Sequence, residues 1–390
     1  MKIVFIDWNS FCNEDVITGL IELGHDIKRL SVEKNDLFST MEELEKNFYR
    51  IKNLQEYEAV FSMSYFPQLS KFCMDKGLKY ISWVYDNPYI NIYSYTIINP
   101  CNYVFIFDYY MYEQLYTAGI KTVYYMPMAV NSVRLNKLFK SSKDHGKYRA
   151  DISFVGSLYS EGKNNLYERI SELDNFTRGY VEAIVNIQLK LYGVNIIKEA
   201  LTKEVLSAME KVFPMDPNPT TVMSQEDIYS DYIIARKVTA LERKKILEVI
   251  NKEHNIKLYT NEQQVNIKGI KNSGYVEYYN EMPLVFHNSK INLNITLKSI
   301  REGIPLRVWD ILGAGGFVIS NYQSELLEYF EQDEEIVIYN DIPDLNDKIE
   351  FYLKNEEVRK KIAVKGYEKV TKYHSYINRL SEMMKIVEEN

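Results

Sequence analysis

A chain of 390 residues, 46% hydrophobic and 26% charged, is long enough for two domains with separate cores and has the balance of a globular protein. Its 47 lysines and arginines stand against 54 acids, a net charge of −7 without the broad basic excess that a nucleic-acid partner calls for, which argues against such a partner and leaves room for local basic patches. No run of about eighteen apolar residues occurs. The first apolar stretch stops at Asp7, so neither a membrane span nor a signal peptide is expected and the chain reads as cytoplasmic. Cys12, Cys73 and Cys101 are scattered, as are the five histidines. They read as free thiols and isolated imidazoles, with no metal site.

Residues 2–6 form an apolar strand, 14–23 a helix closed by Gly24, and 26–30 a second strand, the opening of a doubly wound α/β sheet. Apolar strands recur at 59–62, 80–84, 103–107 and 123–126. Their ends carry Asp7, Asp86 and Asp108, so polar groups gather along one sheet edge, the edge where open α/β sheets bind ligands. Pro88 keeps the residue before it out of the helical region, which turns the chain directly after Asp86. Asp86 is then either a turn cap or a general base aimed at an acceptor hydroxyl, with Asp7 and Asp108 in reserve. The 33 tyrosines, spread along the chain, read as composition rather than as a motif.

Residues 138–150 are polar and charged, as suits a linker. A strand at 151–155 breaks at Gly156. The pattern over 163–235 is helical and too long for an ordinary connection, so it reads as an inserted helical subdomain. A helix at 239–251 and a strand at 257–260 resume the alternation, followed by a strand end at 274–276 and a helix at 278–288 that contains Pro283. Next come a buried strand (290–296), a polar loop (297–304), a helix opened by Pro305 and closed by Gly313, Gly315 and Gly316, and a strand at 317–320. A last strand at 334–339 precedes helices at 344–354, 357–373 and 376–389.

Strand, loop, helix, strand at 290–320 is a parallel crossover, which puts the loop at the carboxyl edge of its sheet and the free amides of the helix start beside it. That arrangement favours a phosphate. Asp310 lies five residues after Pro305 on an otherwise apolar helix and needs donors. They are either Arg307, three residues earlier on the helix, or the two hydroxyls of a ribose.

Glu302-Gly303-Ile304-Pro305-Leu306, then Asp310, then Gly313-Ala314-Gly315-Gly316-Phe317-Val318-Ile319, resembles the nucleotide-sugar signature of GT-B glycosyltransferases, in which two acids lie eight apart. GIPLRVWDILGAGGFVISNYQ is similar to the bacterial group-1-like glycosyltransferase family related to spore-maturation proteins. WVYDNP, FIFD and the turn at 127–131 resemble the N-terminal domain that accompanies that family, and FVGSL resembles its loop for the diphosphate. Asp310 stands where glutamate is more usual, and Glu302 falls on the first acid by spacing.

The resemblance implies a GT-B fold of class α/β: two doubly wound Rossmann-like domains facing a cleft, an acceptor domain at 1–137, a linker at 138–150, and a nucleotide-sugar domain at 151–373 with the insertion. A helix at 374–390 would return to the first domain. It implies metal-independent transfer of a sugar from a nucleoside-diphosphate sugar, a UDP-sugar such as UDP-GlcNAc, to a hydroxyl. The acceptor would be a glycan or a protein such as flagellin or another surface protein, and no cofactor is called for. Gly156, Ser157 and the segment Gly303, Ile304, Pro305, Leu306 and Arg307 would hold the diphosphate, and Asp310 the ribose. Glu302 would meet the sugar and Tyr275 or Val276 the base. Arg301 and Lys298 would stabilise the leaving group and Asp86 would be the base. The alternatives are a GT-B-fold epimerase or phosphorylase, and a nucleotide-sugar-binding or assembly protein without turnover.

Overall fold

The computed structural model describes residues 1–141, 146–160, 166–215 and 221–389. It separates into two units, Met1–Asn131 with Pro217–Met223 and Tyr373–Asn390, and Ser132–Asp216 with Ser224–Lys372.

The first unit holds six strands: β1 (Lys2–Asp7), β2 (Asp26–Ser31), β3 (Ala59–Met63), β4 (Lys79–Val84), β5 (Asn102–Ile106) and β6 (Val123–Tyr125). All pair in parallel in the order β2-β1-β3-β4-β5-β6. Every residue of β3 and β5 is buried, as expected of strands covered on both faces by crossover helices. The order reverses between β1 and β3, so the loops leaving those strands flank the switch point. Helix Tyr376–Glu389 packs into this unit: the Tyr376 ring meets Trp83 edge-on at 5.8 Å, and the Val130 amide donates to the His374 carbonyl over 3.0 Å.

The second unit holds β7 (Ala150–Val155), β8 (Ile256–Tyr259), β9 (Ser289–Asn294), β10 (Val318–Asn321) and β11 (Val337–Tyr339), all parallel, in the order β11-β10-β9-β7-β8. Its reversal falls between β7 and β9. The two loops at that switch point are therefore the one opened by Gly156 and the one at 295–305. The helical insertion has a core of its own, with Val181, Ile184, Met209, Tyr229 and Ile233 at 4% exposure or less, and it runs directly into the long helix Ala235–Glu253.

Several boundaries differ from the sequence expectation, each for a local reason. The helix expected at 278–288 starts at Met282, because Pro283, which has no amide hydrogen, occupies its first turn. No strand forms at 274–276; a single bridge joins Leu258 to Asn272, whose side-chain amide donates instead to the carbonyls of Thr260 (3.1 Å) and Glu262 (3.0 Å). Residues 138–141 of the expected linker complete the helix Ser132–Ser141, while 142–145 lie outside the described residues. Within the stretch read as the insertion, Thr221 bridges antiparallel to Ser94 and the Val222 amide donates to the Tyr93 carbonyl over 2.7 Å, which places this segment in the first unit. Residues 161–165 and 216–220 of that region are outside the described residues.

The turn into β10 shows why a glycine is needed there. A methyl group on Gly316 would stand 2.7 Å from the Phe286 carbonyl oxygen and 2.8 Å from the Asn292 side-chain nitrogen. Gly316→Ala should therefore destabilise the chain by about 1–3 kcal/mol, the usual cost of overpacking, read as a lower urea midpoint at unchanged slope.

Candidate donor site in the second unit

The helix Leu306–Gly313 is eight residues long and has Pro305 as its N-cap. Val308, Trp309, Ile311 and Leu312 are fully buried on the side turned to the core. By helix geometry the Leu306 and Arg307 amides have no acceptor within the helix, so they present donors and a positive dipole end at the switch point. Asp310 sits on the partly exposed side. Its Oδ1 accepts a 3.1 Å hydrogen bond from the Tyr278 hydroxyl, and Tyr278 itself is 7% exposed. A carboxylate accepts at both oxygens, a chemistry that suits the vicinal diol of a ribose. Arg307 donates to the Val155 carbonyl over 2.7 Å and lies over the Phe286 ring. Burial pulls its pKa down, and the nearby Asp310 charge opposes that pull. The arginine thus ties the end of β7 to the helix start.

The loop between β9 and this helix is fastened from three sides. Asn321 Oδ1 accepts from the Thr296 amide (2.8 Å), and Gln323 donates to the Gly303 carbonyl (3.1 Å) while accepting from the Thr296 hydroxyl (3.0 Å). Thr239 Oγ1 accepts from the Lys298 amide (2.9 Å). The Lys298 ammonium lies 3.1 Å from Glu242, with the two side chains 9% and 2% exposed, and 4.4 Å over the Tyr192 ring. Its partner is therefore a buried acid, and the pair anchors the loop. Arg301 reaches Glu199 at 3.6 Å and Asp231 at 3.9 Å, both from the helical insertion. Gly303 and Ile304 are buried, while Glu302 and Pro305 are partly exposed.

The loop after β7 is organised by two buried charges that sequence reasoning did not single out. Arg243, 9% exposed, donates to the Ser157 carbonyl (2.6 Å) and, through Nε and Nη2, to the Ile295 carbonyl, so one guanidinium ties both switch-point loops together. Glu262, 2% exposed, accepts from the Ser157 hydroxyl (3.2 Å), the Leu158 amide and the Ser160 hydroxyl. Gly156 is held by its amide on the Tyr259 carbonyl at 3.0 Å. Tyr275 is 62% exposed and Val276 8% exposed, on a turn begun by Gly274.

Burial, its largest cause, pushes the Asp231 carboxyl up to about 6, against the opposing pull of Arg301. A raised carboxyl pKa means the folded chain holds the proton more tightly than the unfolded one. This contribution to stability is full below about pH 4 and declines as pH rises through about 6. Asp231→Asn should flatten the fall of Tm across that window, as measured by thermal melts at closely spaced pH values.

In the first unit the three acids of the sheet edge separate into different environments. Asp7 accepts from Arg29 (2.8 Å), the Asn13 side chain (2.6 Å) and the Asn9 amide (3.0 Å). Asp108 is fully buried, caps helix Tyr109–Thr117 through the Met111 amide (3.2 Å) and accepts from Asn87 (2.5 Å). Asp86, just past the end of β4, is the exposed member. Among the described residues no group of three or more His, Cys, Asp or Glu side chains is placed to hold a metal ion, and no helix is long and apolar enough to cross a membrane.

Comparison with known proteins places these features in context. Residues 237–385 match the family described as "Glycosyl transferase-like". That stretch holds Asp310, Arg307, Lys298, Arg243 and Glu262. No curated protein matches the chain by sequence. Among solved structures, an alpha-glucosyltransferase in complex with UDP and a 13-mer DNA aligns at a TM-score of 0.55 and 10% identity, covering 99% of each chain. The sucrose-phosphate synthase of Thermosynechococcus elongatus aligns at 0.53 and 9%, covering 100% of this chain and 98% of its own. Anabaena Alr3699/HepE in complex with UDP-glucose aligns at 0.52 and 9%, covering 100% of both. At such identities these likenesses speak for the fold. The chain has the two-domain GT-B fold of these glycosyltransferases, and its residues 237–385 carry the match to the Glycosyl transferase-like family.

Proposed function

We propose that the protein transfers a sugar from a UDP-sugar, such as UDP-GlcNAc, to a hydroxyl group of a glycan or of a protein such as flagellin, in the cytoplasm and without a metal ion. The observation that carries the donor half is Asp310, steadied by Tyr278, one and a half turns into a helix whose first amides face the switch point. Diphosphate oxygens at the Leu306 and Arg307 amides put the ribose within reach of a carboxylate further along that helix. The Gly156–Ser157 loop, braced by Arg243 and Glu262, closes the other side of the diphosphate. Tyr275 meets the uracil, and Glu302 a hydroxyl of the sugar.

Bond breaking at the anomeric carbon leaves charge on the departing UDP, and preorganised donors are the usual means of meeting it. In this reading the helix-start amides and the cation of Arg301 supply them, with Lys298 adding its field from the buried pair below. Asp86 takes the proton of the acceptor hydroxyl.

Purified protein should release UDP from a UDP-sugar, slowly with water and faster with its acceptor. Asp86→Asn should lower kcat by about 10²- to 10⁴-fold, the usual share of general base catalysis, while UDP affinity by calorimetry stays unchanged. Tight UDP binding with no release of UDP on any acceptor would leave a binding protein instead.

A further inference from the structure

A cavity of about 1110 Å³ opens beside the Ser157–Ser160 loop, on the side of helix Ala235–Glu253. Its cationic wall is the face of that helix bearing Arg236, Lys237 and Lys244, while Val238, Thr239, Glu242 and Arg243 are buried on the other side. The lining also takes in the segment after β8, with the amide side chains of Gln263, Gln264 and Asn266. Aromatic rings line the cations: Arg236 lies 5.4 Å from the Tyr232 ring and 6.0 Å from that of Tyr159, and Lys237 lies 5.0 Å over Tyr167.

A plain solvated helix face accounts poorly for this arrangement. Arg236 Nε is buried and meets no acceptor. Rings cover the faces of a guanidinium, but its N–H donors lie in the plane and need oxygen. The acid of the cavity, Glu262, is spent on the Ser157–Ser160 loop. Lys244 has Glu248 as a counter-ion at 3.9 Å, so Arg236 and Lys237 are the charges that leave the lining net positive, and they call for an anion. The volume exceeds what a bare phosphate fills, and tyrosine rings with amide side chains are the groups that pack and hydrogen-bond a sugar.

We infer that this cavity binds a phosphorylated saccharide, its phosphate on Arg236 and Lys237 and its sugar against Tyr159, Tyr167 and the Gln263–Asn266 segment. The site is separate from the one proposed for the donor, and the inference does not depend on that assignment.

The test is calorimetry on the full chain with glucose 6-phosphate as probe and inorganic phosphate as the control, with and without saturating UDP. Glucose 6-phosphate should bind in both conditions, and more tightly than phosphate. Arg236→Gln with Lys237→Gln should weaken it about tenfold or more, the loss expected for charge-assisted hydrogen bonds, with UDP affinity unchanged. Asp310→Ala should do the reverse. Both substitutions lie on a helix face turned from the core, and Arg236→Lys, which keeps the charge, should restore part of the affinity and so separates binding from folding. One-for-one competition between glucose 6-phosphate and UDP would overturn the inference, as would wild-type probe binding by the double variant, or no preference for the sugar phosphate over phosphate alone.

Discussion

Asp310→Ala is expected to weaken UDP binding by about a hundredfold or more while the chain stays folded. The size follows from what the carboxylate would do. Two ribose hydroxyls on an ionised acceptor are worth about 1.5 kcal/mol or more each, and roughly 3 kcal/mol is about a hundredfold in affinity. The structural cost is smaller. Asp310 is partly exposed, and its removal takes one acceptor from the Tyr278 hydroxyl, a loss of about 1–2 kcal/mol. Tyr278→Phe isolates the orienting contribution, since it keeps the carboxylate and removes its 3.1 Å donor. A decrease of only a fewfold is expected there. Calorimetry with UDP reads both variants, and an Asp310→Ala protein that binds UDP like the wild type would remove the residue from the donor site.

The place of Asp310 on its helix was legible in the sequence because everything that defines it is local: Pro305 before the helix, glycines after it, and an acid on an apolar segment. The strands were legible for a similar reason, since fully covered parallel strands read as apolar runs bounded by turn residues. What holds the site in shape was not. Asn321 and Gln323 reach back about 20 to 27 residues to Thr296 and Gly303, and Glu242 reaches 56 residues forward to Lys298. Arg243 bonds Ser157 on one side and Ile295 on the other, 86 and 52 residues away. No periodicity encodes such partners; only the strand order brings them together. The one available hint was charge on a helix side that should be apolar, as at Glu242 and Arg243, where burial demands a partner. The same limit explains Lys298, which sequence reasoning set in the correct loop without its buried acid. It also explains Arg301, whose partners Glu199 and Asp231 come from the insertion.

Glu242→Ala should be among the most destabilising single changes in the chain, because it strands the Lys298 ammonium in a site where the two side chains are 9% and 2% exposed. Removing one member of a buried pair typically costs about 3–5 kcal/mol, most of it the penalty of leaving the other charge without its counter-ion. For a unit of this size that is a fall in Tm of roughly 10 °C. The double variant Glu242→Ala with Lys298→Met removes both charges and should recover much of the loss, so the two changes should be strongly non-additive. Activity then separates the two jobs proposed for Lys298. If the lysine only anchors the loop, the double variant keeps kcat within a fewfold once folded. If its charge also reaches the leaving group, kcat for UDP release falls well beyond what the recovered Tm accounts for, and Lys298→Arg restores part of it. Purely additive losses of Tm would show that Glu242 and Lys298 do not act on each other, and the loop would have to be held chiefly by Thr239, Asn321 and Gln323.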